Sequence, residues 1–260
     1  MASPIAHGTP CWFELGTADL DGASRFYQTL FGWAIEKTDM PNMDYRLASL
    51  GKTRIAGLMP LSHQTPGAPP NWIFYVAVDD CDATAALARA RGGRVLTGPA
   101  DIPGTGRFAL LADPQGAVIG VLAMTPMPDE DAPAGAFDQQ ATGHGNWVEL
   151  MSTDPVAALA FYGELFGWTA GEAMDMGAEG QYQLFRNHGA DIGGMMGLGQ
   201  APSPCWLPYF GVDDITASMA MVKANGAKVM HGPIEVPGPA LIAVLQDPQG
   251  AYLAIVGPKP

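Results

Sequence analysis

Two glutamates stand in otherwise apolar, aromatic stretches: Glu14 in Trp12-Phe13-Glu14-Leu15 and Glu149 in Trp147-Val148-Glu149-Leu150. A carboxylate held among such rings is poorly solvated, which raises its pKa. It then suits general acid or base work, or pairing with a cationic ligand. The alternative is that each acid simply accepts hydrogen bonds from a tyrosine or the backbone inside the fold. Arg107, in Gly104-Thr105-Gly106-Arg107-Phe108, could bind a carboxylate or enolate oxygen, or form a surface ion pair. His231 could shuttle protons or be an exposed loop histidine. Other chemistries find no support. Neither G-x-G-x-x-G after a strand nor a Walker A pattern occurs, and no Ser-His-Asp or Cys-His set can be argued. Cys11, Cys81 and Cys205 are odd in number and lack C-x-x-C spacing, so a disulfide framework or zinc site is not expected.

Composition sets wider bounds. With 48% hydrophobic and 15% charged residues in 260, the chain can bury a sizeable core or two. The net charge of −13 opposes phosphate backbones, so nucleic acid is not an expected partner. No apolar run is long enough to span a bilayer, and the first ten residues lack the pattern of a signal peptide, so a cytoplasmic location is expected.

The chemistry-bearing residues sit inside a duplication. Phe26-Tyr27-x-x-Leu30-Phe31-Gly32-Trp33 matches Phe161-Tyr162-x-x-Leu165-Phe166-Gly167-Trp168, and both this pair and the Trp-x-Glu-Leu pair are offset by 135 residues. Val78-Asp79-Asp80 matches Val212-Asp213-Asp214, and Asp113-Pro114-Gln115-Gly116-Ala117 matches Asp247-Pro248-Gln249-Gly250-Ala251, offset by 134. A period this long means domains rather than solenoid turns. The expected organisation is domain 1 at 7–125, a Pro/Asp/Glu-rich linker at 126–141 and domain 2 at 142–258.

Each domain divides again. A Cys-Trp or Asn-Trp pair opens an apolar run at 11, 71, 146 and 205, and each run ends at an aspartate able to cap a helix: Asp19, Asp79 or Asp80, Asp154, and Asp213 or Asp214. Ala23, Phe26, Tyr27, Leu30 and Phe31 have helical spacing, stopped by Gly32. Three short runs follow each helix and read as strands, the last two joined by the Asp-Pro-Gln-Gly turn. Tyr45 and Tyr182 occupy equivalent strand positions, either as core tyrosines or as hydrogen-bond partners of the acids or a ligand.

Strand, helix and three strands used four times, with F-Y-x-x-L-F-G-W and D-P-Q-G-A, resembles the glyoxalase/bleomycin-resistance/dioxygenase (vicinal oxygen chelate) superfamily. The two-domain form resembles actinomycete hydroxylase-like proteins and a mycobacterial glyoxalase-like culture-filtrate antigen. The resemblance implies an α+β fold: tandem glyoxalase-like domains, each of two βαβββ modules forming a curved, incomplete barrel around a pocket. It also implies positions for metal ligands, and here those positions hold Trp12 and Trp147, Gly57 and Gly194, Ile73 and Leu207, and Gly120 and Ala254. None of these side chains can ligate a metal, so no metal and no other cofactor is expected. A hybrid site combining Glu14 or Glu149 with His144 or His231 is the alternative.

On that reading Trp12, Glu14 and Gly16 alternate onto the pocket face of one strand, joined by Tyr75; Trp147, Glu149 and Tyr209 are the equivalents in domain 2. The small residues at 57, 120 and 194 predict a roomy cleft. The expected function is binding of a small apolar or aromatic metabolite without metal. Glu14 and Glu149 are the candidate catalytic residues, for lyase or hydroxylase/oxygenase-type turnover. Trp12, Tyr45, Tyr75, Arg107, Trp147, Tyr182 and Tyr209 are the candidate ligand-binding residues. The alternatives are a drug- or metabolite-sequestering protein without turnover, a metal-dependent dioxygenase or lyase, and an interaction protein. A monomer or weak homodimer is expected.

Overall fold

The computed structural model describes residues 5–64, 67–125, 135–237 and 240–259. Four modules follow one another. The first is β1 (Pro10–Thr17), α1 (Leu20–Phe31), β2 (Ala34–Lys37), β3 (Arg46–Leu50) and β4 (Thr53–Pro60); the second is β5 (Asn71–Ala77), α2 (Cys81–Ala90), β6 (Arg94–Ile102), β7 (Gly106–Ala112) and β8 (Val118–Met124). The third is β9 (Gly145–Ser152), α3 (Pro155–Phe166), β10 (Thr169–Asp175), β11 (Gln181–Asn187) and β12 (Ala190–Gly197). The fourth is β13 (Cys205–Gly211), α4 (Ile215–Ala224), β14 (Lys228–Val236), β15 (Ala240–Gln246) and β16 (Tyr252–Pro258). In every module the opening strand pairs in parallel with the closing strand, and the other strands add on antiparallel; among the described residues sixteen strands make two eight-stranded sheets.

Local chemistry sets the element ends. Asp19, Asp80, Asp154 and Asp214 each accept a backbone N–H three residues on, which resolves the two positions where either of two aspartates could cap. Gly32 and Gly167 close α1 and α3 in the left-handed region, at φ 69° and 74°, where a side chain would be strained. No helix among the described residues is long and apolar enough to cross a membrane.

The chain packs into two compact units, each drawing on both repeats. The first unit comprises, among described residues, 5–11, 73–125 and 148–207; the second comprises 12–64, 67–72, 135–147, 208–237 and 240–259. Most of the expected linker, 126–134, lies outside the described residues. Its remainder is folded: Ala136 is buried, its carbonyl accepts from Gly145, and Asn146 Nδ2 donates to Ala141 O at 3.0 Å.

The repeat motifs meet inside these units. In the second unit Tyr27, wholly buried, donates to Asp247 Oδ2 at 2.8 Å and accepts from Trp72 Nε1 at 3.0 Å. In the first unit Tyr162 donates to Asp113 Oδ2 at 3.0 Å and accepts from Trp206 Nε1 at 3.0 Å. Each aspartate turns its other oxygen to the hairpin it begins: Gly116 and Ala117 N–H donate to Asp113, and Gln249, Gly250 and Ala251 N–H to Asp247. The helix tyrosine of one repeat is thus tied to the hairpin aspartate of the other. Burial raises the Asp247 carboxyl above its ordinary value, against the lowering pull of Tyr27 and the turn amides.

Around each Trp–Tyr–Asp relay lies an aromatic core. Tyr27, Phe31, Trp33, Trp72 and Phe210 pack in one, with Trp33 and Phe210 centroids 5.6 Å apart; Tyr162, Phe166, Trp168, Phe185 and Trp206 pack in the other, with Trp168 stacked on Phe185 at 4.5 Å. Trp33 and Trp168 end in hydrogen bonds to Gly143 O and Gly8 O, at 2.8 and 2.7 Å.

Candidate functional site

On β1 the pleat alternates: Phe13 and Leu15 are fully buried, while Trp12 and Glu14 turn to the other face and are half-buried. Glu14 lies opposite Gly57 of β4. Tyr45, one residue before β3, reaches over Gly57 and donates to Glu14 Oε2 at 3.2 Å. Burial, followed by the charge of Glu14, raises this phenol well above its ordinary value, so Tyr45 keeps its proton and acts as a donor. A side chain at Gly57 would run into the Tyr45 hydroxyl.

The second repeat builds the counterpart in the first unit. Glu149, 9% exposed, lies opposite Gly194 of β12 and accepts from Tyr182 Oη at 2.9 Å, and the Tyr182 ring covers Gly194 as Tyr45 covers Gly57. The Cys205 thiol is raised by burial and by the charge of Glu149. Tyr75 lies opposite Gly120 with its ring against that glycine, and Tyr209 lies opposite Ala254 and is buried. Trp12, Glu14 and Tyr45 therefore come together within the second unit, and Glu149 and Tyr182 within the first. Tyr75 belongs to the first unit, and Trp147 and Tyr209 to the second.

Arg107 is fully engaged elsewhere in the first unit. Its guanidinium grips Asp82 through two nitrogens, at 2.6 and 3.0 Å, and Asp101 through a third at 2.9 Å. This is the surface ion-pair arrangement.

The roomy cleft expected from Gly57, Gly120 and Gly194 needs correction: tyrosine rings fill the space that the missing side chains leave. Open hollows of about 600 and 350 Å³ in the second unit lie around Arg25 and Arg46, and no candidate residue lines either. Composition alone cannot show this filling, because the tyrosines arrive from neighbouring strands.

Sequence reasoning passed over one group. Gln64 lays its side-chain amide against Gly16, where a side chain would collide with it, and its Oε1 accepts from Asn71 Nδ2 at 3.1 Å. Its Nε2 is buried without a hydrogen-bond partner among the described residues. The one signal available was the mismatch between repeats: Gly16 corresponds to Met151, and Asn71 to Cys205.

The match to known families settles where the fold belongs. The model of the Glyoxalase/Bleomycin resistance protein/Dioxygenase superfamily matches residues 10–121 and again 144–255. The chain belongs to this superfamily. Within it, the chain is 35% identical to the Mycobacterium bovis protein named "Putative glyoxylase CFP32", covering 99% of this chain and 98% of that one. It is 30% identical to "Anthracycline biosynthesis protein DauV" of Streptomyces sp. (strain C5), covering 97% and 94%. Among solved structures, the Mn(II)-bound glyoxalase of Novosphingobium aromaticivorans has a TM-score of 0.66 at 14% identity, covering 96% of this chain and 82% of that one. The 2,3-dioxygenase LapB of Pseudomonas sp. KL28 has 0.67 at 13%, covering 96% and 92%. At such identities the structures share the α+β fold of the superfamily.

Some members of the superfamily carry a metal, and the residues here do not fit one. No group of three or more His, Cys, Asp or Glu side chains gathers among the described residues. The acids that could contribute, Glu14 and Glu149, each take a tyrosine hydroxyl, and the cross-strand glycine beside each lies under that tyrosine. Divalent transition metals need several such donors converging on one point.

Proposed function

We propose that this protein binds a small apolar or aromatic metabolite against the Glu14–Tyr45 and Glu149–Tyr182 pairs without a metal, and moves a proton on it. The observation that carries this reading is the tyrosine–glutamate pair itself, built twice over a glycine that leaves the ring its place. The carboxylate is the proton acceptor. The tyrosine, which donates to it, orients the carboxylate and supports its charge. The relative named for anthracycline biosynthesis supports a planar, polycyclic ligand.

The second reading, sequestration without turnover, draws on the same pairs and on the net charge of −13, which suits a cationic planar drug. The test is to titrate an anthracycline into the protein, following tryptophan fluorescence with and without added Mn(II), and then to recover the compound for mass spectrometry and for deuterium uptake in D2O. Proton transfer predicts metal-independent binding and deuterium incorporation that Glu14→Gln and Glu149→Gln remove together. Recovery of the compound unlabelled and intact favours sequestration. Binding or labelling that appears only with added metal overturns the metal-free reading.

A further inference from the structure

The two tyrosine–glutamate pairs do not have equivalent surroundings, and the difference is concentrated at Gln64. Trp12, Glu14 and Gly16 share one face of β1, because successive side chains of a strand alternate. The Gln64 amide lies against the side-chain direction of Gly16, so it stands on the face that carries Glu14. Gly16 and Glu14 are two residues apart along the strand, roughly 7 Å. Asn71 Nδ2 donates to Gln64 Oε1, which fixes the amide orientation and leaves Nε2 as the donor without a partner. A buried donor with an unmade bond favours any ligand that brings an acceptor.

The second repeat lacks this device. Met151 stands where Gly16 is, so the space that admits the amide is taken by a side chain, and Cys205 stands where Asn71 anchors it. Glu149 is also buried, whereas Glu14 is only half so. The first repeat thus offers a more open acid with an amide donor beside it. The second offers an enclosed acid beside a thiol.

We propose that Gln64 is a specificity-determining residue: its Nε2 donates to a neutral acceptor oxygen, a ketone or quinone carbonyl, of a ring-bearing ligand seated against Trp12, Glu14 and Tyr45, in the first repeat only. This rests on the reading of the Glu14–Tyr45 pair as a ligand site. An ionised ligand oxygen is disfavoured because Glu14 holds negative charge on the same face. The ligand class is therefore a neutral cyclic ketone or quinone, and one such molecule binds per chain with carbonyl recognition.

The test compares 2-tetralone with tetralin, which share a bicyclic frame and differ by the carbonyl. Affinities are read by titration calorimetry, and 13C NMR of carbonyl-labelled 2-tetralone reports the hydrogen bond directly. The wild type is expected to prefer the ketone by about tenfold, the effect of one hydrogen bond, with the bound carbonyl resonance shifted downfield. Gln64→Leu should abolish both the preference and the shift while tetralin still binds. Gln64→Glu, whose ionised carboxylate cannot donate, should do the same. Gly16→Met should push the amide aside to the same effect. If the wild type binds both compounds equally, or the preference and shift survive in Gln64→Leu and Gln64→Glu, the assignment of Gln64 is overturned while the ligand site stands. If neither compound binds the wild type, the site reading fails and this inference with it.

Discussion

Replacing Tyr27 by phenylalanine isolates one hydroxyl at the centre of the second unit. The ring stays, so no cavity opens; what is lost is the donor to Asp247 Oδ2 and the acceptor for Trp72 Nε1. Asp247 and Trp72 are 3% and 5% exposed, so water cannot replace the hydroxyl cheaply. A hydrogen bond to a charged group contributes about 1.5–3 kcal/mol, and an orphaned buried N–H costs about 1–3 kcal/mol. Because Asp247 Oδ1 keeps its three backbone donors, the expected loss is about 3–5 kcal/mol. Urea unfolding followed by tryptophan fluorescence measures it, and a double-mutant cycle with Asp247→Asn isolates the pairwise part. The cost also depends on pH. Burial raises the Asp247 carboxyl above 3.8, so that group's own contribution is fullest below 3.8 and is lost as pH rises through its folded value. The Tyr27 bond acts in the opposite direction, lowering the pKa by favouring the ionised form. Its removal therefore costs most at neutral pH and less as Asp247 takes up its proton. A loss below about 1 kcal/mol, or one that is the same at acid and neutral pH, would refute the relay as a stabilising element.

The remaining expectations are simpler. Gly57→Ala should destabilise by about 1–3 kcal/mol, because its new methyl meets the Tyr45 hydroxyl. Thermal unfolding checks this, and adding Tyr45→Ala should recover part of the loss. Arg107→Leu should leave stability nearly unchanged, since its ion pairs with Asp82 and Asp101 are exposed to solvent. A larger loss in urea unfolding would show that the Arg107 fork organises the first unit.

Much of the architecture was legible along the chain. The duplication, the four β-α-β-β-β modules, the aspartate caps and the glycine stops are local patterns, and local patterns survive into the fold. The two acids were legible too, since a glutamate in an aromatic strand is conspicuous, and Tyr45 and Tyr182 could be named as partners because both repeats carry them. Gln64 was not, because it stands in a connection that the second repeat does not copy. The cleft was misjudged for a related reason: a glycine on one strand shows that its own side chain is missing, while what fills the space comes from another strand.

Residue order and period by themselves determined which segments are strands and helices, which residues cap them, and that one domain is used twice, because these follow from backbone preferences and from the alternation of apolar positions. Only the tertiary structure decided how the repeated signatures are spent. Tyr27 meets Asp247 and Tyr162 meets Asp113, 220 and 49 residues apart, a crossing of repeats that no spacing rule contains. It arises because a buried hydroxyl and a buried carboxylate must each find a partner, and long-range packing puts the partner of each in the other repeat.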